Sequence, residues 1–284
     1  MSFTINFGKR GLRTFDKPVV MGILNATPDS FFSGSRANSD SEILRRTEQM
    51  INEGAEMIDV GGFSTRPGAA EVSEAEELDR VCNAVSLVRN QYPDVIISVD
   101  TFRASVAKES VLSCGADVIN DISAGALDGK LFETVASLGV PYILMHSLGN
   151  SVSAQQLDHA YNDFMGDVIK FFAEKIDQLH LLGVKDIIVD PGFGFSKTMD
   201  QNYQLLGNLK SFDIFKMPLL VGVSRKRMAC QVAETTIEES LNATTAINTL
   251  ALSTGMTDIL RVHDVKAAVE AVKVWEMAKK NAKL

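Results

Sequence analysis

The sequence predicts an α/β fold of the (β/α)8 TIM-barrel type, a single domain over residues 1–284 with an N-terminal hairpin. Three observations carry this. Eight short, near-continuous apolar runs alternate with amphipathic helical stretches, as parallel strands buried on both faces do. A glycine follows the helices, where a left-handed cap is expected. No Pro/Gly/Ser-rich linker divides the chain, and eight βα units close a barrel of roughly 250 residues. A doubly wound open sheet is the structural alternative. It ordinarily carries a glycine-rich phosphate loop after its first strand, and Asn25-Ala26-Thr27-Pro28 is not one.

Met1 to Phe15 alternates apolar and polar residues around Gly8-Lys9-Arg10-Gly11, which reads as a hairpin and not as a signal peptide. The first barrel strand, Val19 to Leu24, ends at Asn25. A helix from about Ser41 stops at Gly54, and Met57-Ile58-Asp59-Val60 runs into Gly61-Gly62. Ser73 and Glu76 have the spacing of a capping box and open the next helix. Val95 to Val99 then ends at Asp100. Gly115 closes a further helix before Val118-Ile119 and Asn120-Asp121, and Gly139 leads to Tyr142-Ile143-Leu144-Met145 and His146. A long helix, roughly Leu157 to Leu182, ends at Gly183.

The next strand, Ile187-Ile188-Val189, runs into Asp190, and Pro191 and Gly192 end it because proline offers no N–H to a sheet. Leu219 to Val223 leads to Ser224-Arg225-Lys226. Asp258 to His263 and a closing helix with Trp275 complete the chain.

Composition excludes several classes. The chain is 45% hydrophobic and 23% charged, ordinary for a globular protein. A net charge of −8 argues against nucleic acid or an anionic membrane as the main partner. No apolar run approaches spanning length. Cys82, Cys114 and Cys230 fit neither a disulfide framework nor a zinc knuckle, so a reduced, cytoplasmic setting is expected. The final Ala282-Lys283-Leu284 faintly resembles a peroxisomal address and is discounted.

In a barrel the C-terminal strand ends converge on one face, where active sites lie. Here they supply Asn25, Asp100, Asn120, Asp190, Lys226, Arg261 and His263. Singly, each fits a turn cap or an ion pair, and Asp190 in its Asp-Pro-Gly is a ready cap for its own turn. Together they suit a flat heterocycle: carboxylates and amides match ring N–H and exocyclic amine edges, and Lys226 matches an acceptor opposite. Arg261 and His263 share one strand face and suit an anion such as phosphate, with Mg2+ as a possible companion. The segments Thr27-Pro28-Asp29-Ser30 and Thr65-Arg66-Pro67-Gly68 are loops long enough to move over the site. There is no P-loop, no Cys–His nucleophile pair and no zinc set.

These segments resemble, in order, the dihydropteroate synthase family. The matching stretches begin with Met21-Gly22-Ile23-Leu24-Asn25-x-Thr27-Pro28-Asp29-Ser30-Phe31 and Asp59-Val60-Gly61-Gly62-x-Ser64-Thr65-Arg66-Pro67-Gly68-Ala69. They continue through Ser98-Val99-Asp100-Thr101, Ile119-Asn120-Asp121, Met145-His146 and Asp190-Pro191-Gly192-Phe193-Gly194-Phe195. Ser224-Arg225-Lys226 and Arg261-Val262-His263-Asp264-Val265 complete the set, which covers about residues 19 to 266.

The resemblance implies condensation of 6-hydroxymethyl-7,8-dihydropterin pyrophosphate with 4-aminobenzoate, a step of folate biosynthesis. It implies that Asp100, Asn120, Asp190 and Lys226 hold the pterin and that Asn25 ligates Mg2+. Arg261 and His263, with Val262 in the same substrate-binding run, meet the pyrophosphate. Thr65 is a further substrate contact, while Ser64, Arg66, Pro67 and Phe195 border the aminobenzoate, where sulfonamides compete. A dissociative displacement, in which pyrophosphate leaves before the amine bonds, predicts that Asn25→Ala and Arg261→Ala lower turnover more than pterin affinity, and that Asp190→Asn abolishes pterin binding.

Four positions depart from the family pattern: Phe63, Ser33, Ser147 and Arg227, the last placed either against the aminobenzoate carboxylate or in solvent. A homodimer is expected from the family, with Leu241, Ala246, Ile247, Leu250 and Trp275 as apolar candidates for its interface. Two other readings stay open: a corrinoid-type pterin-binding methyltransferase domain, and a non-catalytic pterin-binding protein.

Overall fold

A computed structural model describes residues 2–26, 36–63 and 72–282. A hairpin, β1 (Phe3–Asn6) and β2 (Leu12–Phe15), precedes the barrel and pairs antiparallel from Phe3↔Phe15 to Asn6↔Leu12. The barrel strands are β3 (Val19–Asn25), β4 (Met57–Gly61), β5 (Ile96–Asp100), β6 (Val118–Asp121), β7 (Tyr142–Met145), β8 (Ile187–Asp190), β9 (Leu220–Val221) and β10 (Ile259–Val262). Their order is β8-β7-β6-β5-β4-β3-β10-β9, and the parallel bridge Val189↔Leu219 brings β8 to the start of β9. Helices surround them: α1 (Arg36–Glu53), α2 (Glu74–Gln91), α3 (Ala104–Leu112), α4 (Leu131–Leu138), the single turn α5 (Val152–Gln155) and α6 (Phe164–Leu181). The second half adds α7 (Met199–Gly207), α8 (Arg227–Val232), α9 (Leu241–Ser253) and α10 (Val265–Asn281). The (β/α)8 expectation and the hairpin are borne out.

Strand alternation explains where the core ends and the chemistry begins. Outward residues such as Val20, Leu24, Ile58, Val60, Ile97 and Val99 pack in the layer between barrel and helices. Inward residues form a second cluster: Met21, Met57, Ile96, Val118, Ile143, Ile188, Leu220 and Ile259, with Ile5, Phe7 and Phe15 of the hairpin packed on it. One step further along the inward face the residues turn polar: Met57 gives way to Asp59, Ile96 to Ser98, Val118 to Asn120, Ile188 to Asp190 and Ile259 to Arg261. The apolar floor gives no hydrogen bonds, so a fully buried charge above it, such as Asp59, must find a partner inside the protein.

Two helix boundaries and one cap differ from the sequence reading. The helix expected from Ser41 begins at Arg36. The helix expected from Leu157 begins only at Phe164, because the Asp163 carboxylate caps it, accepting from Gly166 N at 3.2 Å. The segment before it is drawn toward β8's loop by Tyr161, whose hydroxyl donates to Ser196 O at 2.9 Å. Ser73 does cap α2, yet the Glu76 carboxylate pairs with Arg80; the reciprocal capping box forms at Thr198 and Gln201 instead.

Asp121 turns away from the barrel interior. Fully buried, it accepts from Tyr142 Oη (2.6 Å), Ser123 N and Oγ (2.7 Å each) and Gly125 N (2.7 Å). Burial raises its pKa, and these four bonds work against that. Tyr142→Phe is expected to lose about 1.5–3 kcal/mol of folding stability, the value of a hydrogen bond to a buried charge. Urea denaturation checks this, and pterin affinity measured on the same variant should not move.

Candidate active site at the C-terminal mouth of the barrel

Asp59, on the inward face of β4, is the hub. It is completely buried, and its Oδ2 accepts from Arg261 Nε at 2.6 Å and from Asn120 Nδ2 at 3.0 Å. Arg261 reaches on with Nη2 to Asp100 Oδ2 at 2.6 Å, so one guanidinium spans carboxylates on β4 and β5. The anion-binding arginine expected from the sequence thus has two of its N–H groups committed to carboxylates. Burial opposes its charge, but Asp59 and Asp100 outweigh that and raise its pKa above the ordinary value. Asp100 is pushed up to about 7 by burial, which Arg261 opposes and neighbouring carboxylates reinforce to a lesser degree. The network also fixes the Asn120 amide: its nitrogen faces Asp59, an assignment made from the hydrogen bond.

Opposite stand Asp190 and Lys226. Asp190 does cap its turn, accepting from Gly192 N at 2.8 Å, and it stays just accessible at 6% exposure. Burial raises its pKa while Lys226 pulls it back down. Lys226 donates to Phe193 O and lies 4.9 Å from the Phe195 ring centroid. Burial lowers its pKa to about 8, against the pull of Asp190. Phe195 joins Ile122, Met145 and Phe102 in a small apolar cluster, giving the mouth one greasy wall. Ser147 is buried beside this wall and donates its hydroxyl to Ile122 O.

The two C-terminal motifs are locked together. Ser224 Oγ lies 3.1 Å from His263 Nδ1 and accepts from His263 N at the same distance. Arg225, with φ +56°, grips Asp264 bidentately at 2.9 and 2.6 Å. Lys226 and His263 are therefore held in fixed relation across β9 and β10. Val262 does not face the mouth with its side chain, which is buried in the layer between barrel and helices. Strand alternation puts it on the opposite face from Arg261.

Asn25 ends β3 with no hydrogen-bond partner for its side chain among the described residues. Gly61 leaves room beside it: a Cβ there would lie 3.8 Å from Asp100 Cβ and 3.9 Å from Asn25 Oδ1. Among the described residues no three His, Cys, Asp or Glu side chains gather to hold a metal. An amide oxygen is a hard ligand of the kind Mg2+ accepts, but one alone does not make a metal site.

Phe63 meets Phe102 edge-on at 5.6 Å, and the Arg103 guanidinium lies over both rings. Arg227 is exposed and 3.6 Å from the equally exposed Asp158. Ser64, Thr65, Arg66, Pro67, Ser33 and the Thr27–Ser30 stretch lie outside the described residues. A surface cavity of about 400 Å³ by Arg13, Tyr92 and Pro93, at the other end of the barrel, contains none of the site residues.

The comparisons agree with this geometry. A family model described as pterin binding enzyme matches residues 21–263. The dihydropteroate synthase of Escherichia coli strain K12 is 44% identical over 261 residues, 91% of each chain. The structure of Xanthomonas albilineans dihydropteroate synthase with 4-aminobenzoic acid superposes with a TM-score of 0.89 at 35% identity, covering 98% of this chain and 99% of that one. The Yersinia pestis enzyme in a sulfonamide drug complex gives 0.88 at 41% identity, covering 99% and 100%. The chain belongs to the pterin-binding enzymes. Among them, it is a member of the dihydropteroate synthase family, a family of transferases.

Proposed function

We propose that the protein condenses 6-hydroxymethyl-7,8-dihydropterin pyrophosphate with 4-aminobenzoate, giving 7,8-dihydropteroate and pyrophosphate. The observation that carries this is the opposed pair of polar groups at one mouth, Asp59-Asn120-Asp100-Arg261 on one side and Asp190-Lys226 on the other. Between them a planar ring finds acceptors for its N–H groups and a cation for its carbonyl.

Asp190 takes the amide edge of the pterin, Asn120 offers its amide oxygen, and Lys226 faces a ring acceptor. The methylene carbon–oxygen bond breaks with its electron pair leaving on pyrophosphate, and the ring delocalises the positive charge left behind. Asp100 and Asp190 stabilise that charge, while His263 and the uncommitted donors of Arg261 meet the leaving anion. The amine of 4-aminobenzoate forms the new C–N bond and then gives up a proton; once positioned it needs no general base. Thr65 adds a contact to the pterin substrate, and Ser64, Arg66 and Pro67, with the Phe195 wall, receive the benzoate ring, where sulfonamides compete. When bound at Asn25, Mg2+ supplies charge neutralisation for the pyrophosphate.

The test is direct: supply both substrates and Mg2+, follow product by mass, and repeat with chelator. Chelator-sensitive product is expected. Pterin binding without product would instead support the non-catalytic reading. Asp190→Asn should weaken pterin binding at least about a hundredfold, since a charged acceptor and the Lys226 partner are lost together. Unchanged affinity by calorimetry would remove Asp190 from the ring contact.

A cytoplasmic setting accords with three free thiols. The protein acts as a homodimer, a reading supported by the exposed Leu241 and Leu250 on α9, whereas Ile247 is core. Light scattering should give twice the chain mass, and Leu250→Glu should shift it toward one chain.

A further inference from the structure

Lys197 sits seven residues beyond Asp190 yet is only 2% exposed. Its Nζ lies 2.8 Å from His146 Nδ1, and it donates to Gly192 O at 2.9 Å, Phe195 O at 3.0 Å and His146 O at 3.3 Å. The amine thus pins the turn after β8 to the end of β7. That same turn carries the chemistry. Gly192 N donates to Asp190, Phe193 O receives Lys226, and the Phe195 ring lies under the Lys226 ammonium. The fit has no slack: a Cβ on Gly192, where φ is +72°, would lie 1.9 Å from His146 O. Among the described residues nothing at bonding distance from the amine is a carboxylate, so its work there is not that of an ion pair.

We infer that Lys197 is a positioning residue: its buried amine, anchored on His146, fixes the 190–195 turn and so sets where Asp190 and Lys226 meet the pterin ring. This rests on the reading that the mouth binds a pterin. The amine meets three carbonyl oxygens and His146 Nδ1; with that nitrogen unprotonated the set suits the ammonium form, which has three protons to give where the neutral form has two. Burial lowers the pKa of Lys197 and of His146 alike, and Asp190 draws Lys197 back up. The charged groups facing Asp190 are Lys226, Arg261 and Lys197, and each favours its ionised form. Removing the Lys197 charge therefore raises the Asp190 pKa, an effect that a purely structural staple does not have.

The experiment compares wild type with Lys197→Met and His146→Phe, each checked for folding by thermal melt. Steady-state kinetics in pterin pyrophosphate are then run across pH. For Lys197→Met the expected result is a KM for the pterin substrate raised about ten- to a hundredfold, with kcat at saturation within about threefold. The acid limb of kcat/KM, to which Asp100 and Asp190 both contribute, moves to higher pH as the Asp190 pKa rises. His146→Phe keeps the three carbonyl contacts and shows a smaller rise in the same KM, and it decides the matter if Lys197→Met does not fold. Either folded variant with a wild-type pterin KM and acid midpoint overturns the positioning role. A wild type that binds no pterin pyrophosphate overturns the functional reading and this inference together.

Discussion

Arg261→Met should lose about 3–5 kcal/mol of folding stability and weaken pterin binding together with turnover. The guanidinium sits between Asp59 and Asp100 at 2.6 Å from each, and removing it strands two carboxylates above an apolar floor. Asp59 is fully buried and cannot recover the loss from solvent. The Asp100 side chain is about a fifth exposed, so water takes over part of its share and the lower end of the range is the better figure. Asn120 leans on the same Asp59 oxygen, which is why the ring site suffers too. The sequence reading expects an arginine whose loss lowers turnover more than pterin affinity; the two ion pairs predict that both fall together. Urea midpoints and the pterin KM check it, and Asp59→Asn in the Arg261→Met background should restore part of the stability. A wild-type midpoint for the single variant would show that the pairs carry no net stability.

Much of the mouth was legible because strand ends announce themselves. A buried run that stops at Asp100, Asn120 or Asp190 places that side chain at the barrel rim without further information. Asp59 was harder. It lies within Met57-Ile58-Asp59-Val60, and only counting by twos from Met57 and knowing that β10 closes on β3 brings it under Arg261. Lys197 was invisible for a different reason. Between Ser196 and Thr198 it looks like a solvated turn residue, and its burial is created by His146, 51 positions earlier. The Arg225–Asp264 clamp likewise joins residues 39 apart, both of which sit in quoted motifs without any local sign that they meet. The Val262 side chain points away from the mouth because a three-residue motif on a strand necessarily alternates faces.

The pH dependence of kcat/KM for the pterin substrate is expected to be a narrow bell, because the acid and the base of the site have been moved toward each other. That parameter reports the free enzyme, so the ligand-free arrangement is the relevant one. Asp100 is raised to about 7: below that pH it is a neutral carboxyl that cannot stabilise a cationic ring, and activity should rise about tenfold per pH unit toward 7. Lys226 is lowered to about 8: above that pH it loses the charge that faces the ring acceptor, and activity should fall. Burial drives both shifts, in opposite directions, since it penalises whichever form is charged. Asp100→Asn should therefore leave only the Asp190 share of the acid limb while lowering the plateau, and Lys226→Arg should push the alkaline limb beyond the measured range. Because the groups are close, the two midpoints belong to the site as a whole, and the variants are what assign them. A profile flat from pH 6 to pH 9 would mean that neither group titrates where its burial places it.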